Sequence, residues 1–480
     1  MQVVCKCYNP AVSTRPPELV LPPAMLDAVS TAGGGRIALV VGAGCSVEPP
    51  TSLPNGEESS RECHRKLVAN RVLVEGDCHD PKDLSCLADT VFRKTGSKSA
   101  LVDQLRYYNL ETPQPNNGHL LAAALLCEGA VSSILTLNFD LSLTMAISEL
   151  GVGEYVGIIN CSSDFGRQRQ LNLYYLNGNA TATDPEEWIL RTDELNSGWR
   201  GRWEEVIAAK VIANHVVIFV GMGSPAAVLV EAAKFVKDRV PKGTFTYQVD
   251  PGDRNGNVFF QELGLDQGSY IKATWCEFMK SLSDRLVLEQ RALLESAATA
   301  FLTREGIEEE SIDALLDRFE VLGLVGIGKL RAAWTLDKRS YSRDEEASRE
   351  SLADLLLAVA FLSRQAGVSA VLCEDGVVEF RRANQITAAL IFLTGNGTKG
   401  WSAIDAELPQ RLEELKTRPT LVTGAIIAHT RDGIKSNVAP PVDVVHEDSS
   451  ASIINGPTPI PFYHIETLRR DPTRCREVIS

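Results

Sequence analysis

Apolar positions along the chain fall into short unbroken runs that end in glycine, asparagine or aspartate, and these runs alternate with longer stretches of helical spacing. Residues 37–41 (IALVV) follow the glycines Gly33, Gly34 and Gly35. A short run with no polar face fits a strand covered on both sides, as in a parallel sheet. Val131 to Asn138 reads as a second buried strand and Val216 to Val220 as another short apolar one, and Tyr155 to Asn160, Leu171 to Leu176 and Thr244 to Asp250 are further strand candidates. Between them, Ala24 to Ser30, Leu101 to Tyr108, His119 to Cys127, residues 139–149, Trp203 to Ala213 and Ala226 to Lys237 carry helical periodicity. Strands alternating with helices predict an α/β fold: a doubly wound, Rossmann-like parallel sheet with helices on its faces.

The texture changes near Thr274. Residues 277–366 are almost all helix-like, and the charge runs Glu305 to Glu310 and Arg343 to Glu350 mark solvated helix faces. Ala370 to Cys373 and Val377 to Arg381 then flank Glu374-Asp375-Gly376, a hairpin signal. Thr420 to His429 is β-rich and broken by Gly424; Pro440 and Pro441 follow, and the tail from Ser449 is polar. At the other end, Pro10, Pro16, Pro17, Pro22 and Pro23 predict an extended arm. The expected division is an arm over 1–27, a nucleotide-binding α/β domain over 28–287, a helical region over 288–366 and a β-containing module over 367–480.

Composition adds bounds. A chain of 480 residues holds two or three domains at roughly 150 residues each, and cores of that size need no staple. With no run of 18 or more apolar residues and no apolar segment in the first 20, the expectation is a cytoplasmic protein without a membrane span. The net charge of −14 argues against bulk electrostatic binding of nucleic acid. The 11 cysteines contain no C-x-x-C pair, so no zinc is expected and the thiols are expected to be reduced. The one metal candidate is the pair of dipeptides Cys63-His64 and Cys78-His79, whose adjacent side chains diverge.

The strongest local signal is Val40-Val41-Gly42-Ala43-Gly44-Cys45-Ser46. A glycine-rich turn after a buried strand lets backbone amides approach a pyrophosphate. Val47 stands where the dinucleotide fingerprint has its third glycine, so a plain tight turn fits this stretch as well as a nucleotide site does. Three other strand ends change that balance. The strand Ile134 to Leu137 ends in Asn138-Phe139-Asp140, Val216 to Val220 ends in Gly221-Met222-Gly223-Ser224, and Asp250 is placed to accept from a ribose hydroxyl.

In order and spacing, VVGAGCS with the following PPTSLP, then TLNFD, YYLNG, FVGMGS and TWCEFMKSL resemble the sirtuin-like family over about residues 28 to 287. The likeness is to the divergent sirtuin-like domains that hydrolyse NAD in bacterial antiphage defence. It implies that Gly42, Ala43, Gly44 and Ser46 cradle the pyrophosphate of NAD or ADP-ribose, and that Pro54 belongs to the loop over the nicotinamide ribose. Asn138 and Asp140 would orient ribose or water, and Gly221, Gly223, Ser224 and, more weakly, Asp250 would take the adenosine side. It also implies a homo-oligomer or a complex with a defence partner protein.

Two departures stand out. The family usually has histidine-glycine after the strand that here is Leu173-Tyr174-Tyr175-Leu176, and this chain has Asn177-Gly178. An amide orients a hydroxyl but takes no proton near neutrality. In the adenosine-side turn relatives often carry an aspartate a few residues after the glycines, where this chain has Ser224-Pro225-Ala226-Ala227. The zinc module of the protein deacylases is missing as well, which disfavours deacylation. Two functions follow: an NAD hydrolase releasing nicotinamide and ADP-ribose, or a catalytically inactive relative that binds the nucleotide as a sensor or scaffold. Among other histidines, His215 is expected at the far end of its strand and His119 in a packing role, while His64 and His79 lie in the variable segment that covers the pocket in relatives. Cys45 is expected to pack. Past 288, His429, Asp432, His446, Glu447, Asp448 and His464 show no ligand spacing and are expected in polar loops.

Overall fold

Five apolar residues in a row leave a strand no face for solvent, and the computed structural model buries all five residues of Ile37–Val41 completely. It describes residues 19–30, 36–153, 156–197, 199, 202–223, 227–240, 244–305, 310–334, 345–393, 411–427 and 460–479. Ser224, most of the proline-rich arm, and the stretch holding His429, Asp432, His446, Glu447 and Asp448 lie outside the described residues.

In chain order the elements of the first part are α1 (Pro23–Ser30), β1 (Ile37–Val41), α2 (Gly56–Ala69), α3 (Leu84–Thr95), α4 (Ser99–Arg106), α5 (Asn117–Cys127), β2 (Val131–Thr136), α6 (Ser142–Glu149), β3 (Val156–Ile159), β4 (Leu171–Tyr175), α7 (Thr192–Ser197), α8 (Trp203–Ile212), β5 (Val216–Val220), α9 (Ala227–Arg239), β6 (Phe245–Asp250), α10 (Val258–Leu263) and β7 (Tyr270–Lys272). Then come α11 (Trp275–Glu305), α12 (Glu310–Trp334), α13 (Glu345–Ala366), β8 (Ser369–Leu372), β9 (Val377–Arg382), β10 (Gln385–Leu393), β11 (Gly424–Ile427), β12 (Phe462–His464), α14 (Ile465–Arg470) and α15 (Pro472–Ile479).

The first sheet has the order β3-β4-β2-β1-β5-β6-β7, and every neighbouring pair is parallel. This is the doubly wound α/β sheet the alternation predicts. One short edge strand, β7, follows the run ending at Asp250, which the sequence analysis took as the last strand. Period-two alternation divides β1 between two cores: Ile37, Leu39 and Val41 face the layer of α5 and α11, while Ala38 and Val40 face the layer of α8, α9 and α10. Helix α5 (NGHLLAAALLC) has almost no polar face, because it packs between the sheet, α6, α11 and α12.

Helix α11 runs unbroken from the edge of the sheet through residues 287 and 288, so one apolar core continues from Leu21 to Ile479. The second sheet is mixed, in the order β12-β11-β10-β9-β8. Its predicted hairpin, β8 with β9, is antiparallel. The sequence analysis overlooked β10, which returns along β9 through a tight turn at Ala383-Asn384, both with positive φ (47° and 67°). A helical turn over residues 411–415 brings Leu412 and Leu415 against the outer sheet face. No helix among the described residues is long and apolar enough to cross a membrane.

Candidate functional site

Strands β2, β4 and β3 stand on one side of β1, and β5, β6 and β7 on the other. The carboxyl ends of β1, β2 and β5 therefore meet at the topological switch point, where open α/β sheets form a crevice. The chain leaves β1 through Gly42 into a single 3-10 turn, Ala43–Ser46. Gly42 N–H donates to Val220 O at 2.9 Å and Gly44 N–H to Gly221 O at 3.0 Å, so the turns after β1 and β5 are joined backbone to backbone. A Cβ on Gly42 would lie 2.5 Å from Gly221 O, and one on Gly44 2.9 Å from Gly221 Cα. Gly221 itself has φ +67°, and its own Cβ would meet Cys45 N at 2.7 Å. The protein needs these three glycines for its own packing. Ala43 and Gly44 alone face outward on this turn, while Cys45 and Ser46 are buried.

From β2, Thr136 Oγ1 donates to Val41 O (3.3 Å) and accepts from Asn138 N–H (3.0 Å). That fixes the Asn138 backbone beside the β1 turn. The Asn138 amide donates to Gly42 O at 3.1 Å and lies 3.5 Å from Ser46 Oγ, which donates to Asp140 Oδ2 at 3.0 Å. The other oxygen of Asp140 accepts from Ser142 N–H at the start of α6 (3.0 Å). Asn138, Ser46 and Asp140 are each no more than 8% exposed. The structure thus brings the glycine turn and the Asn-Phe-Asp segment into one hydrogen-bonded unit.

Sequence analysis missed Asn116. It caps α5, and its Nδ2 donates to Cys45 O (2.8 Å) and Glu48 O (3.3 Å), holding the β1 turn from behind. His119 completes the capping box by accepting Asn116 N–H on Nδ1 at 3.3 Å, and its ring meets Trp275 edge-on at 5.9 Å. Burial pushes the imidazole from its usual 6.5 to about 4, against the opposing pull of the Asp140 charge. The folded state therefore refuses a proton that the unfolded chain accepts below 6.5. Stability supported by His119 is full above 6.5 and falls progressively as the pH drops toward 4. Urea midpoints across that window should show this slope, and His119→Asn should flatten it. Cys45 is wholly buried, donates its thiol to Val220 O at 3.5 Å, and has its pKa raised by burial and by Asp140 and Glu48, as suits a packing residue.

Asn177 follows β4 and is 6% exposed. Its Nδ2 donates to Leu137 O at 3.3 Å, and its buried Oδ1 has no hydrogen-bond partner. Its carbonyl accepts from Ile189 N–H (2.9 Å), and Trp188 stacks on Phe139 at 4.5 Å. The segment over 185–195 is anchored by Lys98, fully buried, whose ammonium donates to Trp188 O (2.7 Å) and Glu194 (2.8 Å). On the β5 side, Met222 O accepts from Gln248 (3.1 Å) and Asn257 (3.3 Å), and Gly223 is exposed with open space around it. Gln248, from the middle of β6, carried no sequence signal. Half-buried Asp250 accepts from Gly252 N–H (2.7 Å) and Tyr270 (3.3 Å). Pro54 is half-buried at the end of a loop that folds back through Leu53 N–H to Ser46 O (2.9 Å).

The remaining histidines fall elsewhere. His215 precedes β5 at its amino end, against Phe245. His64 is buried on α2 with Nε2 unpartnered, and His79 lies against Cys86. No group of three or more histidine, cysteine or acidic side chains among the described residues is arranged to hold a metal ion.

No protein-family model matches the chain, and no curated protein does. Solved structures offer distant similarities. A Sir2 homologue in complex with NAD is 16% identical, covering 57% of this chain and 96% of that chain, with a TM-score of 0.34. A mutant Sir2 homologue with ADP-ribose is 14% identical, covering 55% and 96%, at 0.33. Another, with 2'-O-acetyl ADP-ribose, is 15% identical, covering 57% and 98%, at 0.35.

Proposed function

We propose that the crevice at the carboxyl ends of β1, β2 and β5 binds NAD or ADP-ribose. The observation that carries this is the unit formed by Asn138, Ser46 and Asp140: three buried polar side chains locked onto a glycine turn at the switch point. Core packing rewards no such cluster, since each group costs desolvation. The exposed Ala43-Gly44 ridge gives a pyrophosphate a surface free of large side chains. Asn177 Oδ1, buried and unpaired, suits a ribose hydroxyl donor. Open space at Gly223, with Asp250 beyond it, suits the adenosine side. Calorimetric titration with NAD and with ADP-ribose tests the proposal, and the absence of heat with either ligand would sink it.

Hydrolysis is the first activity we propose for this site. The bond between nicotinamide and C1′ of the ribose breaks with its electron pair going to nicotinamide, and a water oriented by Asn138 and Asp140 joins C1′ and releases a proton to solvent. By resemblance the setting is bacterial antiphage defence, with a partner or oligomer releasing the activity. A second reading, an inactive nucleotide-binding sensor or scaffold, is favoured by Asn177: its amide bridges to the β2 end and provides no base. The variant Asn177→His separates the two. Restoring a general base is worth about 10²-fold or more in rate, so nicotinamide release should rise by that order if the rest of the site is intact. Unchanged release with unchanged ADP-ribose affinity would leave the scaffold role.

A further inference from the structure

The loop between α2 and α3 holds a feature unrelated to the crevice chemistry. Cys78 Sγ and Cys86 Sγ are 3.4 Å apart, and the His79 ring reaches Cys86 Sγ with Nδ1 at 3.2 Å and Nε2 at 3.7 Å. A disulfide needs a separation of about 2.0 Å, so the sulfurs, at 3.4 Å, are already in contact and need approach by little more than an ångström. Cys86 lies in the first turn of α3, a helix of 12 residues whose cap Asp83 accepts from Ser85 and Cys86 N–H. The loop is tied to α3 by Asp77, which accepts from Val74 N–H (2.8 Å) and pairs with Lys94 (2.8 Å). The sulfurs therefore face each other across a braced turn.

The geometry points to a redox-modification site: Cys86 attacks a hydroperoxide, and Cys78 resolves the product to an intramolecular disulfide, with His79 as the proton carrier. In the first step His79 takes the Cys86 proton, the thiolate attacks one peroxide oxygen and the O–O bond breaks. The departing oxygen takes the proton back and leaves as water or alcohol, and Cys86 becomes a sulfenic acid. In the second step Cys78 attacks the Cys86 sulfur, the S–O bond breaks, and the hydroxyl leaves as water with the Cys78 proton. Two thiols are oxidised by two electrons, and the hydroperoxide is reduced.

The division of labour follows from the surroundings. Burial and the hydrogen bond with Cys86 push the Cys78 thiol up to about 11, which leaves the first attack on the peroxide to Cys86. Cys86 has the exposed imidazole beside it and the amino end of α3 beneath it. Cys161 is the internal contrast: it is exposed, but its neighbours are Ser163 and the Asp164 carboxylate at 3.5 Å, with no second sulfur beside it among the described residues.

Full-length protein exposed to equimolar hydrogen peroxide should lose two alkylatable thiols. Peptide mapping should place one link between Cys78 and Cys86, and dithiothreitol should reverse it. In Cys78→Ser, a 1,3-dione probe should capture sulfenic acid at Cys86, whereas in Cys86→Ser it should leave Cys78 unlabelled. His79→Ala should slow disulfide formation about 10²-fold, as expected when a positioned proton acceptor is lost, and free imidazole should restore part of the rate. The inference fails if both thiols stay alkylatable at a peroxide dose that oxidises Cys161, if mapping finds a different link, or if Cys78 is labelled as readily as Cys86. The wild-type map needs no variant to fold.

Discussion

Asn138→Ala is expected to lower NAD turnover by about 10² to 10³-fold, the usual cost of removing one preorganised polar group from a reacting centre. Its amide is oriented twice over, through Gly42 O at 3.1 Å and through a backbone fixed by Thr136 Oγ1 at 3.0 Å. Alanine keeps the backbone arrangement and deletes only the amide. The fold should lose about 1 kcal/mol, one ordinary hydrogen bond, which a denaturant midpoint can separate from the catalytic loss. Where the resting chain turns nothing over, ADP-ribose affinity is the readout, and it should weaken. Full nicotinamide release and undiminished affinity in this variant would falsify the assigned role of Asn138.

The largest effect on stability is expected from Gly42→Ala. One methyl group would sit 2.5 Å from Gly221 O and 2.6 Å from Met222 Sδ. The methionine can rotate away, but the carbonyl cannot, because Gly221 O accepts from Gly44 N–H and the residue is held at φ +67°. Relief requires β1 and β5 to separate where they are paired residue for residue from Ile37–Val216 to Val41–Val220. We expect a loss of about 3 kcal/mol or more, the cost of overpacking where the backbone cannot yield. Urea unfolding measures it, and ligand binding should vanish with it. Gly223→Ala is the matched control: nothing lies within 4 Å of its added methyl group, so stability should stay within about 0.5 kcal/mol of wild type.

Much of the first sheet was legible because buried parallel strands are written locally. Residues 37–41 and 216–220 are apolar runs closed by a glycine, residues 171–176 are apolar but for Asn172, and each holds a strand. The missed elements failed for local reasons as well. Residues 56–69 (GEESSRECHRKLVA) are too polar to show an apolar stripe, yet a capping box at Asn55 and Glu58 starts a helix there. Strand β7 spans residues 270–272 only and adds little more than an edge. The turn at Ala383-Asn384 contains no glycine, so β10 gave no hairpin signal.

The candidate site divides in the same way. Its motif residues Gly42, Ser46, Asn138 and Asp140 could be named from strand ends, because a parallel sheet gathers the carboxyl ends of its strands at one edge, whereas Asn177 stood out only through the resemblance to sirtuin-like domains. The linear order of residues holds nothing about Asn116 gripping Cys45 O, Gln248 and Asn257 holding Met222 O, or Gln248 being buried mid-strand. These bonds join positions far apart in the chain, and a single amide side chain carries no periodicity.

The meaning of the glycines shows the boundary most clearly. By itself the sequence determined that strands end in small residues, that an amide, Asn177, follows the strand over 171–175, and that the apolar periods build a doubly wound sheet. Only the tertiary structure decided that Gly42, Gly44 and Gly221 are required by each other, that α11 carries one core from the first sheet into the second, and that Cys78 and Cys86 touch. The physical reason is range. Period and propensity act over a few residues and select each element, whereas close approach between backbones or sulfurs depends on how distant elements pack, which no local pattern records.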